Sequence, residues 1–157
     1  MIEVKNIHKY YENLHVLKGV DLKIDKSEII SIVGASGTGK TTLLQILGTL
    51  DTFSKTEQES SLIINGNDIA SLNRNQLAKF RNENLGFIFQ FHQLLPEFTA
   101  LENVCIPAFI KKTSRDKAEK RAKELLAFLN LSHRENHKPD ELSGGEQQRV
   151  AVARSLI

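Results

Sequence analysis

The chain has 157 residues, 40% of them hydrophobic and 25% charged, with a formal net charge of +2. This is the size and composition of one globular domain able to bury a core, which excludes a disordered tail. The charge is too small to argue for nucleic acid, no run of 18 apolar residues exists to span a bilayer, and the N-terminus lacks the apolar stretch of a secretory signal. A single cysteine, Cys105, can form no internal disulfide and fits a reducing compartment, as a small buried hydrophobe rather than a nucleophile.

In chain order, Ile2, Val4 and Ile7 suggest a first strand, and 20–24 (VDLKI) alternates apolar and polar residues as a half-buried strand does. The run 28–33 (EIISIV) is nearly continuous in apolar residues and predicts a strand covered on both faces. It leads into Gly34, and 41–47 (TTLLQIL) then predicts a helix that Gly48 ends. Residues 51–61 are polar and read as an exposed loop, and 62–66 (LIING) as a strand entering an Asn-Gly turn. Asn73 with Gln76 opens a helix with Leu77 and Phe80 on its apolar side. The run 85–89 (LGFIF) predicts a second buried strand. Thr99 and Glu102 form a capping box for a helix that buries Leu101, Val104, Cys105 and Ala108. The clearest helix is 115–130, with Ala118, Ala122, Leu125, Leu126 and Leu129 on one face and Glu119 paired with Lys123 at i,i+4. Residues 136–141 are a linker. Strands early and helices late predict an α/β core with a helical insertion.

Residues 34–41 (GASGTGKT) match G-x-x-x-x-G-K-[ST] at every required position. Glycines let the backbone wrap so that successive N–H groups point inward at phosphate oxygens, and the start of the following helix adds free donors and a positive dipole end. Lys40 supplies a mobile charge for the β- and γ-phosphates, and Thr41 a hydroxyl for Mg²⁺. Gly34, Ala35, Ser36, Gly37, Thr38, Gly39, Lys40, Thr41 and Thr42 are therefore the candidate site for a nucleoside triphosphate with Mg²⁺, a loop that small-molecule kinases, GTPases and motor ATPases all use.

A second motif lies at 142–149 (LSGGEQQR). Ser143 and Glu146 form an S-x-x-E capping box, and Gly144 and Gly145 expose backbone N–H groups at a positive helix end, which is also an anion site. A chain with one phosphate loop and a second anion-ready helix start can pair the second site of one copy with the nucleotide of another.

The two motifs, in this order and about a hundred residues apart, resemble those of ABC-type ATPases, and the resemblance covers the whole chain. It implies a P-loop NTPase core with an antiparallel β-subdomain and an α-helical subdomain. Roughly 1–89 would be the nucleotide-binding core and β-subdomain, 90–142 the helical subdomain and 143–157 the signature helix. It further implies that Ser143, Gly144, Gly145, Glu146 and Gln147 contact ATP bound to a second, head-to-tail subunit. Gln90 matches the glutamine that contacts Mg²⁺ and the attacking water. Tyr11 matches the aromatic that stacks on adenine, with Tyr10 as its neighbouring alternative, and Val16 an apolar residue beside it. A groove in the helical subdomain would receive a coupling helix from a transmembrane permease, placing the protein peripherally on the cytoplasmic side of the inner membrane with no nucleic acid involved.

The wording of 86–110 narrows the resemblance to the lipoprotein-releasing branch and to macrolide-exporter and cell-division relatives. Phe91, Leu94, Leu95 and Phe98 either meet a partner or fold back on their own subdomain. Arg149 and Arg154 either support the nucleotide interface or, as is commoner on an amphipathic helix, face solvent; His92 reads as a surface histidine, and His8, His15, His133 and His137 have no assigned role. An apolar strand ending Asp-Glu, which the family uses for Mg²⁺ and the attacking water, occurs nowhere in the chain, and Asp140-Glu141 follows a proline-containing linker. The core is accordingly expected to be incomplete at the C-terminus, as in the N-terminal part of a longer protein. Such a piece would bind nucleotide without hydrolysing it. A soluble ABC protein without a transporter is the other class, but its usual coiled-coil insertion does not fit between Gln90 and Glu141.

Overall fold

The first 24 residues form one long hairpin in the computed structural model, which describes residues 1–157. Strand β1 (Ile2–Tyr11) and β2 (Leu14–Ile24) pair antiparallel from Ile2↔Ile24 to Tyr11↔Leu14, with irregularities near Val4, Ile7 and Lys9. Along β1, Val4, Ile7 and Lys9 are buried. Strand β3 (Ser61–Ile64) joins the other side of β1, and the two-residue β4 (Asn67–Asp68) completes the order β2-β1-β3-β4. The Asn-Gly turn forms as expected: Asn65 and Gly66 both take positive φ, 49° and 79°, as a tight hairpin between right-twisted strands requires. Helix α1 (Lys40–Leu47) buries Leu43, Ile46 and Leu47 and stops at Gly48. These elements belong to one unit of the chain, Met1–Ala78; Lys79–Ile157 is the other.

Helix α2 (Arg74–Asn84) spans that boundary and starts as the sequence indicates. Asn73 Oδ1 accepts from the amides of Asn75 and Gln76, and Gln76 Oε1 accepts from the Asn73 amide. The second unit is built on three helices, α3 (Ala100–Ile110), α4 (Arg115–Phe128) and α5 (Gly144–Ser155). Their core includes Val104, Cys105, Ala122, Leu126, Leu131 and Val150, with Leu101 and Leu129 packed partly buried against it. Cys105 is the small buried hydrophobe anticipated, and burial raises its thiol to about 11. Glu119 pairs with Arg115 at 2.6 Å rather than with Lys123, an exposed pair of little energetic weight.

Two expected strands do not form. Neither 28–33 nor 85–89 has a partner strand, and Ile29 is 97% and Val33 85% exposed. A continuous apolar run encodes what a segment buries once paired, whereas the pairing needs another strand alongside. Residues 85–89 instead pass so close to the end of α5 that a Cβ on Gly86 would lie 2.3 Å from the Ser155 carbonyl oxygen.

The loop between Gln90 and α3 is tied down by buried polar groups. Asn103, fully buried, accepts from the Leu95 amide through Oδ1 and donates through Nδ2 to the carbonyls of Leu95, Phe98 and Thr99. At the start of α5, Ser143 Oγ accepts from the Glu146 amide at 3.3 Å. Glu146 Oε2 accepts from the Ser143 amide (2.8 Å) and hydroxyl (2.7 Å), and its Oε1 from Arg134 Nε (2.9 Å). The Ser143 bonds, then Arg134, hold the Glu146 carboxyl down at about 2.

Replacing Asn103→Ala takes the side-chain partner from the Leu95 amide and the Phe98 carbonyl, while the Leu95 and Thr99 carbonyls keep the Phe98 and Asn103 amides as donors, so urea unfolding is expected to lose about 1–3 kcal/mol; an unchanged midpoint would mean that water replaces the lost bonds. Because the folded pKa of Glu146 lies below its ordinary 4.5, its stabilisation is present above that value and is lost as pH falls toward 2. Glu146→Gln is therefore expected to flatten, though not abolish, the acid-induced fall in melting temperature. Glu102 and Asp51, also shifted downward, contribute in the same direction.

Candidate functional site

The geometry of residues 34–42 follows from three glycines in conformations that other residues rarely adopt. Gly34, Gly37 and Gly39 have φ of 153°, 79° and 90°, which turns the chain back on itself before α1. Gly39 is doubly constrained, because a Cβ there would also sit 2.9 Å from Val16 Cγ1 and 3.0 Å from Leu17 Cδ2. Close packing of the loop on β2 is thus possible only with glycine. As the N-cap of α1 it offers no side-chain acceptor, so the first-turn amides keep their hydrogen-bonding capacity for an anion.

The Lys40 ammonium folds across the loop, donating to the carbonyls of Gly34 (2.8 Å) and Ala35 (2.5 Å), and the Thr38 hydroxyl also donates to Ala35 (2.9 Å). A cleft of about 410 Å³ opens here, lined by Val16, Ser36, Gly37, Gly39, Lys40, Thr41 and Thr42. Backbone donors, one ammonium and two threonine side chains around a polar cleft suit a polyphosphate. The Thr41 hydroxyl, a hard oxygen donor, suits Mg²⁺.

The two tyrosines differ in surroundings. Tyr10 stacks on His15 (ring centroids 4.0 Å apart, 12° between planes), and His15 in turn meets His8. Tyr11 donates its hydroxyl to Asp51 Oδ2 at 2.9 Å and has the Lys9 ammonium 5.0 Å from its ring centroid. Neither Lys9 nor Asp51 stood out in the sequence. The one available signal was a lysine at an inward position of an alternating strand; its partner lies 42 residues away.

In the second unit, Gln90 is exposed at a turn, and the chain after it is clasped by α5: Arg154 donates to the carbonyls of His92 and Gln93, both at 2.7 Å. The solvent-facing reading of Arg154 is therefore corrected, while Arg149 is exposed. A carbonyl pair at the helix end attracts a guanidinium more strongly than water does when the two positive-φ residues, His92 and Gln93, turn their backbone toward it. His92 is half-buried rather than on the surface, with its Nδ1 buried and unpaired.

Gly144 and Gly145 are exposed at the first turn of α5. A Cβ on Gly144 would meet nothing within 4 Å, and one on Gly145 only the Arg149 side chain, so the chain's own packing does not require glycine at either position. Gln147 Nε2 donates to the carbonyls of Pro139 and Leu142 and staples the turn before the helix. Asp140 and Glu141 lie in a short 3₁₀ turn, where Glu141 accepts from the Lys138 amide. Of the apolar loop residues, Leu94 packs on the core, whereas Phe91 (83% exposed), Leu95 and Phe98 remain outside. Phe98 borders a groove of about 710 Å³ with Leu101, Ile106, Phe109 and Ile110, above Cys105.

The sequence profile of the ABC transporter family matches residues 17–157. Over all 157 residues the chain is 61% identical to the lipoprotein-releasing system ATP-binding protein LolD of Porphyromonas gingivalis and 58% to that of Bacteroides thetaiotaomicron, spanning 70% of the length of each. Among solved structures, the dimeric bacterial ABC transporter cassette MJ0796 superposes with a TM-score of 0.88 at 42% identity, over 99% of this chain and 69% of that one. A second structure of that cassette, in a post-hydrolysis state bound to ADP and Pi, superposes with the same TM-score. The loop of 34–42, the capped helix start at 143–147 and these likenesses converge: the chain belongs to the ABC transporter family.

Proposed function

We propose that the chain is the ATP-binding subunit of a lipoprotein-releasing ABC transporter, in which binding and hydrolysis of MgATP drive a membrane permease. The observation that carries this reading is the phosphate loop with Lys40 folded across it, in a chain 61% identical to a LolD protein. The triphosphate lies along the first-turn amides of α1, with Lys40 released from the carbonyls of Gly34 and Ala35 to meet the β- and γ-phosphates. Residues 34–42 form the loop, Val16 borders it, and Tyr11 stacks on the adenine. Thr41 would offer its hydroxyl to Mg²⁺, whose charge offsets that developing on the phosphoryl oxygens.

Ser143, Gly144, Gly145, Glu146 and Gln147 face the γ-phosphate of a second, head-to-tail copy. The bare first turn of α5 supports this, since nothing within the chain needs the two glycines. Phe91, Leu95 and Phe98 and the adjoining groove are the surface offered to the permease, at the cytoplasmic side of the inner membrane; no helix of the chain is long and apolar enough to cross it. We infer that the 157 residues alone bind nucleotide without turning it over. They include no apolar strand ending Asp-Glu, and Glu141 is occupied as a turn cap.

With a full-length subunit that contains these residues assembled on its permease in vesicles, Lys40→Ala is expected to lower ATP hydrolysis and lipoprotein release together, by about 100-fold or more. Hydrolysis retained in that variant overturns the assignment of the loop, and co-purification with ribosomes in place of a permease favours a soluble ABC protein. Turnover by the isolated 157 residues overturns the binding-only inference.

A further inference from the structure

Around Tyr11 the first unit holds a charged cluster that the phosphate loop does not use. Lys9 is only 8% exposed, and its ammonium donates to Asp51 Oδ1 and to the Thr52 carbonyl, both at 2.6 Å. The Thr52 amide donates to the same Asp51 oxygen at 2.7 Å, and the Tyr11 hydroxyl takes the other at 2.9 Å. A buried ammonium is stable only with such a partner. Burial opposes the Asp51 charge, but the bonds from Lys9, Tyr11 and Thr52 outweigh it and hold the carboxyl below its ordinary value, so Asp51 stays a carboxylate at neutral pH.

We propose that Asp51, held by Lys9, is a positioning residue that locks the Tyr11 ring as the platform for the purine of a bound nucleotide. This rests on the reading of Tyr11 as the base-stacking aromatic. A tyrosine at a strand end, 44% exposed, loses rotamer freedom when a base settles on it. Here that freedom is already removed: the hydroxyl is tethered, and the ammonium sits over one face of the ring, leaving the opposite face for the base. Tyr10 lacks such a tether and spends a face on His15. The cluster thus acts on the base, while the triphosphate is held by residues 34–42. Base and phosphate affinity are therefore separable by mutation.

The test is calorimetric titration of the purified protein with MgATP and with magnesium tripolyphosphate, which lacks a base. Asp51→Asn is expected to weaken ATP about three- to tenfold and to leave tripolyphosphate within about twofold. Tyr11→Phe keeps the Lys9–Asp51 pair and removes only the tether, so it is expected to move in the same direction, and it decides the matter if Asp51→Asn does not fold. Added to Tyr11→Ala, Asp51→Asn should cost nothing further. If Tyr11→Ala weakens ATP while Asp51→Asn and Tyr11→Phe bind like the parent, the positioning role is overturned and the stacking reading stands. If Tyr11→Ala itself binds ATP like the parent, the stacking reading falls first. A parallel loss of tripolyphosphate affinity overturns the proposal by making Asp51 a support of the whole loop.

Discussion

The contact of Gly39 with Val16 and Leu17 is the constraint on which the first unit depends. At φ of 90° and with no room for a Cβ, Gly39 joins three things at one point: the end of the phosphate loop, the start of α1 and the inner edge of β2. The hairpin that positions Tyr11 and Val16 is thereby pressed against the helix whose amides await an anion. Leu43, Ile46 and Leu47 bury the other side of that helix, so its N-terminus is fixed by packing and not by a side-chain cap. A capped start would spend the donors that the loop keeps free. Local stability is given up at the position where binding needs open hydrogen-bonding groups.

The start of α5 solves the opposite problem. Ser143 and Glu146 satisfy the helix start from within, Arg134 braces Glu146, and Gln147 ties the preceding turn. What remains unfilled is the space beside Gly144 and Gly145. A rigid, self-satisfied helix end with a bare first turn presents backbone to whatever approaches it without rearranging. α1 starts with open donors and α5 as a finished surface, a difference that suits the separate roles proposed for the loop and for residues 143–147.

Much of the fold was legible because its signals are local. The Asn65-Gly66 turn, the Thr99 and Ser143 capping boxes and the helix expected over 115–130 depend on residues within a few positions of one another, and each formed where the pattern indicated, the helix ending two residues early at Phe128. The phosphate loop was legible for the same reason, its glycines and Lys40 being contiguous. Residues 28–33 and 85–89 show the reverse. Their apolar composition was read correctly, but a strand is a relation between two segments, and Ile29 and Val33 stand exposed without one. Arg154 and Asn103 were missed because their bonds run to backbone carbonyls, and every residue type has those.

Lys9 and Asp51 were illegible for a further reason, which also explains how the first unit separates its charges. A partly buried carboxylate costs free energy if it is left unpaired. Asp51 is paired on both oxygens, by an ammonium, a phenol and a backbone amide, so its charge is neutralised where it stands. Lys40, by contrast, is bonded only to neutral carbonyls, which it can exchange for another acceptor. One lysine is committed to structure and the other left mobile, though the two look alike in a list of residues. The difference lies in the partner: a carboxylate traps an ammonium by a charge-assisted bond, while carbonyls release it to a stronger acceptor such as phosphate.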